Sequence, residues 1–134
     1  MKKLIALIST IICVLSIVAC DGNAPKVKIT DYSSEIYTDA EIKSAIDVII
    51  DYFNLFFEGC TLTEITYLGD DELDNWQEFA EKNDADDVIV LVSSFEVDAS
   101  GGDGSLIPNS TYEDWKWTLV RTDGGKWKHV SHGY

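Results

Sequence analysis

Five consecutive apolar residues, Val88-Ile89-Val90-Leu91-Val92, constrain the fold more than any other segment of this chain. A strand with one face in water alternates apolar and polar side chains, whereas an unbroken apolar run is typical of a strand buried on both faces. The run lies within a longer strand predicted over residues 87–97. The sequence therefore predicts a sheet whose central strand is covered on both sides.

A long amphipathic helix is predicted ahead of this strand, from Asp39 to Glu58. Thr38 and Glu41 have the spacing of a capping box, and Gly59 is a typical helix stop. A shorter helix is predicted over residues 70–82. Apolar positions recur in the long helix at helical spacing, namely Ile42, Ala45, Ile46, Ile49, Phe53, Phe56 and Phe57.

Three further strands are predicted, over residues 61–68, 112–122 and 126–133. The first is predicted as an edge strand, because Thr63 and Glu64 interrupt its apolar face. The last two are joined by Asp123-Gly124-Gly125, which is typical of a hairpin turn. We expect an α+β domain whose N-terminal helix packs in a curved antiparallel sheet of about four strands, with one short extra helix.

The first twenty residues have the plan of a secretory signal: two lysines, an apolar run too short to span a bilayer, and Ala19-Cys20. The segment Ile17-Val18-Ala19-Cys20 resembles a bacterial lipobox. That resemblance implies cleavage before Cys20, a diacylglycerol on its thiol, and a cell-membrane lipoprotein that faces the extracellular side. An ordinary secretory signal with a cysteine nearby is the alternative.

These features predict the organisation of the chain. Residues 1–19 are expected to be a lipoprotein signal peptide, and residues 20–34 a lipidated cysteine followed by a flexible tether. Residues 35–134 are expected to form a single α+β domain. Because Cys13 lies in the expected leader and the lipobox resemblance implies lipidation of Cys20, Cys60 is expected to have no disulfide partner and is interpreted as a small buried side chain.

The charge balance disfavours partners that are strongly anionic. Ten Lys and Arg residues stand against 24 Asp and Glu residues, a formal net charge of −14. Such a chain repels phosphate backbones and anionic lipid, which disfavours nucleic-acid binding and electrostatic docking on membranes. The sequence also lacks a nucleophile signature, a phosphate-binding glycine loop and a dinucleotide motif, so no cofactor is expected.

Aromatic residues of the C-terminal hairpin are the candidate ligand-binding residues. Trp115, Trp117 and Trp127 are expected on one face of the hairpin, with Tyr112 near its end. Such a cluster suits stacking on sugars or other flat molecules, and it equally suits packing of the sheet on the helix. Both interpretations stay open.

The loop over residues 98–110 has two interpretations. Asp98 and Asp103, together with nearby glycine carbonyls, have a composition that suits a hard cation such as Ca²⁺. The same residues are those that sharp turns use.

Three residues of the hairpin carry charge or titrate. His129 and His132 are three apart, so on a regular strand they face opposite sides, which argues against a shared metal. Arg121 is in register with the tryptophans. It needs an acidic partner, such as Glu96 or Asp51, unless it lies beyond the edge of the core.

Several segments carry a resemblance to known proteins. Residues 90–105, Trp115-Lys116-Trp117-Thr118-Leu119-Val120-Arg121, Gly125-Lys126-Trp127 and Gly133-Tyr134 resemble a group of small uncharacterised lipoproteins of Gram-positive bacteria. The tryptophan-bearing hairpin is similar to the closing hairpin of cystatin-like, nuclear transport factor 2-like roll domains. In that superfold the sheet and helix often enclose a cone-shaped pocket, which enzymes and non-catalytic binding domains both use.

The function expected from these features is a membrane-anchored extracytoplasmic binding module without catalytic activity. Its partners are expected to be the membrane, through Cys20, and a small molecule or a cell-envelope protein. An enzyme with an acid–base site inside the roll is the alternative. Two or more buried ionisable groups that converge in an open cavity would favour the enzyme, whereas a filled apolar interior would favour the binding module.

Overall fold

The computed structural model describes residues 27–134. The expected signal peptide and Cys20 lie outside the described residues, as does the first part of the expected tether. Within residues 27–134 no helix is long and apolar enough to cross a membrane.

The described chain is an α+β structure. Its elements in order are β1 (Lys28–Ile29), α1 (Asp39–Phe56), β2 (Cys60–Tyr67), a 3-10 helix (Asp70–Trp76), α2 (Gln77–Lys82), β3 (Asp87–Val97), β4 (Thr111–Arg121) and β5 (Lys128–Gly133). The strands form one sheet in the order β1-β2-β3-β4-β5, with α1 packed on one face. The α+β class is as predicted.

The sheet is mixed and has five strands, whereas about four antiparallel strands were expected. The additional strand is β1, which runs parallel to β2 and pairs Lys28 with Glu64 and Ile29 with Ile65. Thr30 extends this contact, since its N–H donates to the Ile65 carbonyl at 3.2 Å. Val27-Lys28-Ile29-Thr30 alternates apolar and polar residues, but the segment is short and lies within the expected tether.

The central strand is confirmed. Val88, Ile89, Val90 and Leu91 of β3 are fully buried, and β2 and β4 pair with the strand on either side. Ile89 and Leu91 belong to the main core beneath α1. Val88 packs on the other face with Ala80 of α2. Both faces are therefore covered, which explains why the run has no polar interruption.

Helix α1 begins where the capping box predicts. Thr38 Oγ1 accepts a hydrogen bond from the Glu41 N–H at 3.2 Å, and the Thr38 N–H donates to Glu41 Oε1 at 2.9 Å. The helix ends at Phe56, two residues before the predicted end at Glu58. Of the predicted stripe, Ile42, Ala45, Ile46, Ile49 and Phe53 are buried, whereas Phe57 is half-buried and Phe56 is exposed.

The predicted second helix, residues 70–82, is split into the 3-10 helix and α2. Asp70 is tied to the preceding chain rather than to the helix. Its carboxylate accepts hydrogen bonds from Ser34 Oγ at 2.6 Å, from the Glu35 N–H at 2.7 Å and from the Tyr67 hydroxyl at 2.7 Å. These tertiary contacts accompany a tighter first turn, which the pattern of apolar residues does not predict.

Candidate functional site

A cleft of about 260 Å³ opens where α1 ends against the sheet. We call it the end cleft. Four parts of the chain form it: the end of α1 with the start of β2, the loop between β3 and β4, strand β4 and strand β5. Its lining residues are Tyr52, Phe56, Phe57, Glu58, Cys60, Gly102, Asp103, Ser105, Leu106, Trp115 and His132.

Gly59 makes this arrangement possible. It has φ +76°, a left-handed conformation that turns the chain from α1 into β2. A Cβ atom at this position would lie 2.6 Å from Ser100 Oγ and 3.0 Å from Asp98 Oδ1. The Asp98 N–H donates to the Gly59 carbonyl at 2.9 Å, so the loop after β3 is held against the end of α1.

Aromatic rings form the walls of the cleft. The ring centroids of Tyr52 and Phe56 are 4.6 Å apart, and the Phe57 ring meets the Trp115 ring edge-on at 6.4 Å. Trp115 stacks on the His132 ring at 5.9 Å. Phe56 is 65% exposed, so its side chain is accessible at the cleft.

Trp115 differs from the other two hairpin tryptophans. The Trp117 indole N–H donates to Ser93 Oγ at 2.7 Å, and the Trp127 N–H donates to the Glu41 carbonyl at 3.0 Å. The Trp115 N–H is shielded from solvent and has no hydrogen-bond partner within residues 27–134. An unsatisfied buried donor of this kind costs about 1–3 kcal/mol.

The four candidate aromatic residues do not form one surface. Trp117 is fully buried in the core, and Trp127 is 5% exposed beside the first turn of α1. Tyr112 stacks on Phe95 and accepts a hydrogen bond from the Ile107 N–H at 3.1 Å. Trp115 alone of the four lines the end cleft.

The prediction that the two histidines face opposite sides is wrong. Thr118 pairs with Ser131 and Leu119 pairs with His129, so Val130 is an extra, unpaired residue. This bulge reverses the alternation after Val130, so His129 and His132 lie on the same face of the strand. His132 Nδ1 and His129 Nε2 are 3.2 Å apart, and both rings lie against Trp117.

Burial affects the protonation of both histidines. It lowers the pKa of His129, with a smaller contribution from His132, and it also lowers the pKa of His132. Both rings are therefore neutral at neutral pH. A hydrogen bond between two neutral rings accounts for their contact.

The ionised groups that line the cleft are acidic. Glu58 and Asp103 are exposed, and hydrogen bonds from Ser105 lower the pKa of Asp103. Burial, followed by the nearby charges of Asp98 and Asp103, raises the pKa of the Cys60 thiol. Cys60 is therefore protonated at neutral pH and unsuited to nucleophilic attack.

The glycine-rich loop uses its carboxylates in turns. Asp98 Oδ1 accepts from the Ser100 N–H at 2.8 Å, and Asp103 Oδ1 accepts from the Ser105 N–H at 3.0 Å. Within the described part of the chain, His, Cys, Asp and Glu form no group of three or more that is suited to hold a metal ion. The contacts of Asp98 and Asp103 are those of ordinary turn chemistry.

Arg121 points inward, but not towards the partners expected for it. Its Nε donates to Asp87 Oδ2 at 2.8 Å, and its Nη2 donates to Glu41 Oε2. The guanidinium also stacks over the Trp127 ring, 4.4 Å from the centroid. This cluster joins the start of α1 to the sheet, at the opposite end of α1 from the cleft.

The space between α1 and the sheet is filled. Phe53, Phe95 and Trp117 are among its largest fully buried side chains. The Phe53 ring lies 5.5 Å from Phe95 and 6.3 Å from Trp117, both edge-on. Within residues 27–134 this packing leaves no deep cone between α1 and the sheet, and the aromatic rings that line an open space are those of the end cleft, such as Phe56 and Trp115.

Comparisons with protein-family models, with curated proteins and with solved structures find no significant match to this chain.

Proposed function

We propose that this chain is a lipid-anchored extracytoplasmic binding module that holds a small molecule in the end cleft. The observation that carries the proposal is an accessible cleft whose walls are aromatic, between Phe56 on one side and Trp115 on the other. Aromatic walls bind flat or apolar faces of small molecules, and ligand sites are usually concave and largely preformed. The volume of about 260 Å³ suits a ligand smaller than a typical drug.

A binding role is favoured over catalysis by the state of the ionisable groups. The interior between α1 and the sheet is packed with apolar side chains, so it holds no open pocket with converging acids and bases. Cys60 is protonated, and the carboxylate of Asp103 is engaged by Ser105. Recognition needs none of these groups to be activated, whereas an acid–base reaction does.

The anchor is the second part of the proposal. Its support is the resemblance of Ile17-Val18-Ala19-Cys20 to a lipobox. Two acyl chains on one cysteine are enough for stable membrane attachment. A Cys20→Ala variant is expected to be released from the membrane or left unprocessed. Recovery of that variant in the membrane with lipid attached contradicts the anchor.

We also propose that the domain is a cystatin-like, nuclear transport factor 2-like roll. The long helix α1 followed by four antiparallel strands in sequential order supports this proposal. An experimental structure superposed on members of that superfold tests it. A different arrangement of helix and strands in that superposition contradicts it.

Binding in the cleft is tested by calorimetric titration with a panel of flat, uncharged compounds such as indole, phenol and simple sugars. The chain is compared with Trp115→Leu and with Trp76→Leu, which makes the same change on the 3-10 helix outside the cleft. We expect a compound that Trp76→Leu still binds and that Trp115→Leu binds about tenfold more weakly. Equal losses in the two variants contradict the proposal. Failure of every compound to bind, both in this panel and in the titrations of the next subsection, also contradicts it.

A further inference from the structure

The charged side chains that line the end cleft are acidic. Glu58 and Asp103 line it, and its lining includes neither Lys nor Arg. Within residues 27–134 neither carboxylate forms a salt bridge. Two carboxylates without a cationic partner disfavour an anionic ligand and attract a cationic one.

The aromatic rings have the same preference. The face of an aromatic ring carries the negative part of its quadrupole and attracts an ammonium group within about 6 Å of the centroid. The end cleft offers rings from both sides, with Tyr52 and Phe56 on α1 and Trp115 on β4. A cation held in the cleft therefore lies among aromatic side chains from two elements, with Glu58 and Asp103 in the same lining.

The remaining titratable groups of the cleft do not oppose a cation. His132 on β5 is neutral at neutral pH, and the Cys60 thiol is protonated. The chain as a whole has a net charge of −14, which raises the local concentration of cations around it. The acidic charge of the cleft and its aromatic side chains therefore both favour a cationic ligand.

We propose that the ligand of the end cleft is a small organic cation with a compact ammonium head. This inference rests on the proposed function, because it names the ligand class of the same cleft. The small volume of the cleft favours a head group without a bulky substituent. The ammonium head lies between the aromatic walls, near Glu58 and Asp103.

The test compares choline with its uncharged carbon analogue 3,3-dimethylbutan-1-ol, which has the same shape. The whole chain, expressed with its leader and purified from membranes in a polyoxyethylene alkyl ether, is titrated with each at constant ionic strength. This detergent is chosen because phosphocholine and maltoside detergents carry head groups that are themselves under test. We expect choline to bind about tenfold more tightly than the uncharged analogue.

Two double variants separate the local effect from the effect of net charge. Glu58→Gln with Asp103→Asn removes two carboxylates from the cleft, and Glu72→Gln with Asp74→Asn removes two from the 3-10 helix. We expect the first pair to lose most of the preference for choline and the second to keep it. Equal effects of the two pairs overturn the role of the cleft carboxylates.

The outcomes also separate this inference from the proposed function. If both compounds bind equally and Trp115→Leu weakens both, the cleft is a binding site but its preference for a cation is overturned. If neither compound binds while an uncharged member of the flat panel does, the cation is again overturned and the proposed function stands. If nothing binds in either experiment, both proposals fail.

Discussion

At the scale of single residues, Glu41 connects two parts of the fold. Its carboxylate accepts a hydrogen bond from the Thr38 N–H at 2.9 Å and is also bound by Arg121. The hydrogen bond from the Thr38 N–H contributes most to lowering the pKa of Glu41, and the hydrogen bond from the Arg121 side chain contributes next. The same carboxylate therefore caps α1 and attaches the helix to β4.

Replacing Arg121 with Met should reveal this attachment. The Arg121 side chain is 11% exposed, whereas those of Glu41 and Asp87 are 29% and 36% exposed, so both carboxylates can be partly hydrated when the guanidinium is removed. We expect a loss of about 1–3 kcal/mol in the free energy of unfolding, measured in urea. The control is Lys128→Met on exposed β5, expected to cost less than about 0.5 kcal/mol. Equal urea midpoints for the two variants would contradict the prediction.

The histidine pair predicts a pH dependence of stability. Because the folded-state pKa values of His129 and His132 are lowered, the unfolded chain binds more protons once the pH falls below about 6.5. Stability is therefore unaffected above that pH and falls as the pH drops through about 6.5 towards the folded-state values. The rings face Tyr52, Trp115 and Trp117, and the carboxylates that line the same cleft as His132 are those of Glu58 and Asp103.

The measurement is the urea midpoint at about pH 7.5 and about pH 5.5, where most carboxylates remain ionised. Wild type is compared with the double variant His129→Gln with His132→Gln. The double variant should lose less stability over this interval than the wild type. An unchanged pH dependence in the double variant would show that other groups are responsible.

At the scale of elements, the ends of α1 differ in what determines them. The start is determined locally, by the capping box between Thr38 and Glu41. The other end depends on the loop between β3 and β4, which packs on Gly59. The end of α1 is also a wall of the end cleft, so the position of the loop affects the shape of the cleft.

A Gly59→Ala variant tests this dependence. At φ +76° an alanine costs about 1–2 kcal/mol, and its Cβ would also lie 2.6 Å from Ser100 Oγ. Gly124→Ala is the matched control, because Gly124 has φ +65° but open space around it. We expect Gly59→Ala to be the less stable of the two by about 1 kcal/mol and to bind more weakly any panel compound that the wild type binds. Equal stability of the two variants would mean that the loop moves aside without cost.

The bulge in β5 shows the limit of periodicity at this scale. The period-two rule is correct for the segment before Val130 and for the segment after it. One unpaired residue between them reverses the predicted face of everything that follows. The pairing register with β4 determines where that residue lies, and nothing in β5 itself marks the position.

At the scale of the whole molecule, the net charge of −14 opposes compaction. In the described part of the chain, ion pairs such as Lys43–Asp47 and Lys82–Glu78 lie on exposed helix surfaces and offset little of this repulsion. The stability of the domain therefore depends on its apolar core.

Salt should stabilise the folded chain. Raising the ionic strength from about 0.01 M to about 0.15 M shortens the screening length from about 30 Å to about 8 Å, which weakens repulsion among carboxylates. We expect the melting temperature to rise over this range in NaCl. The variant Glu72→Gln with Asp74→Asn, which has two fewer negative charges, should show a smaller rise. A fall in melting temperature with salt would indicate that attractive pairs dominate instead.

Much of the fold was predictable from the sequence because its causes are local. A capping box requires two residues three positions apart, and the apolar stripe of a helix recurs every three or four residues. The run Val88–Val92 by itself indicates a strand that is covered on both faces. The α+β class, the start of α1 and the central strand follow from these patterns and agree with the structure. The register of Arg121 with the tryptophans follows from a pattern of the same kind, whereas its inward position was one of two alternatives.

The tertiary structure decided what depends on distant residues. Arg121 and Glu41 are 80 positions apart, β1 has only two residues, and the histidines share a face through a bulge that pairing with β4 creates. The sequence pattern predicted Trp115, Trp117 and Trp127 on one face of the hairpin, but in the folded chain only Trp115 of the three lines the cleft. The sequence determines the chemistry of each side chain. The exposure of a side chain and its contacts result from long-range packing, and they determine which aromatic residues are accessible to a ligand.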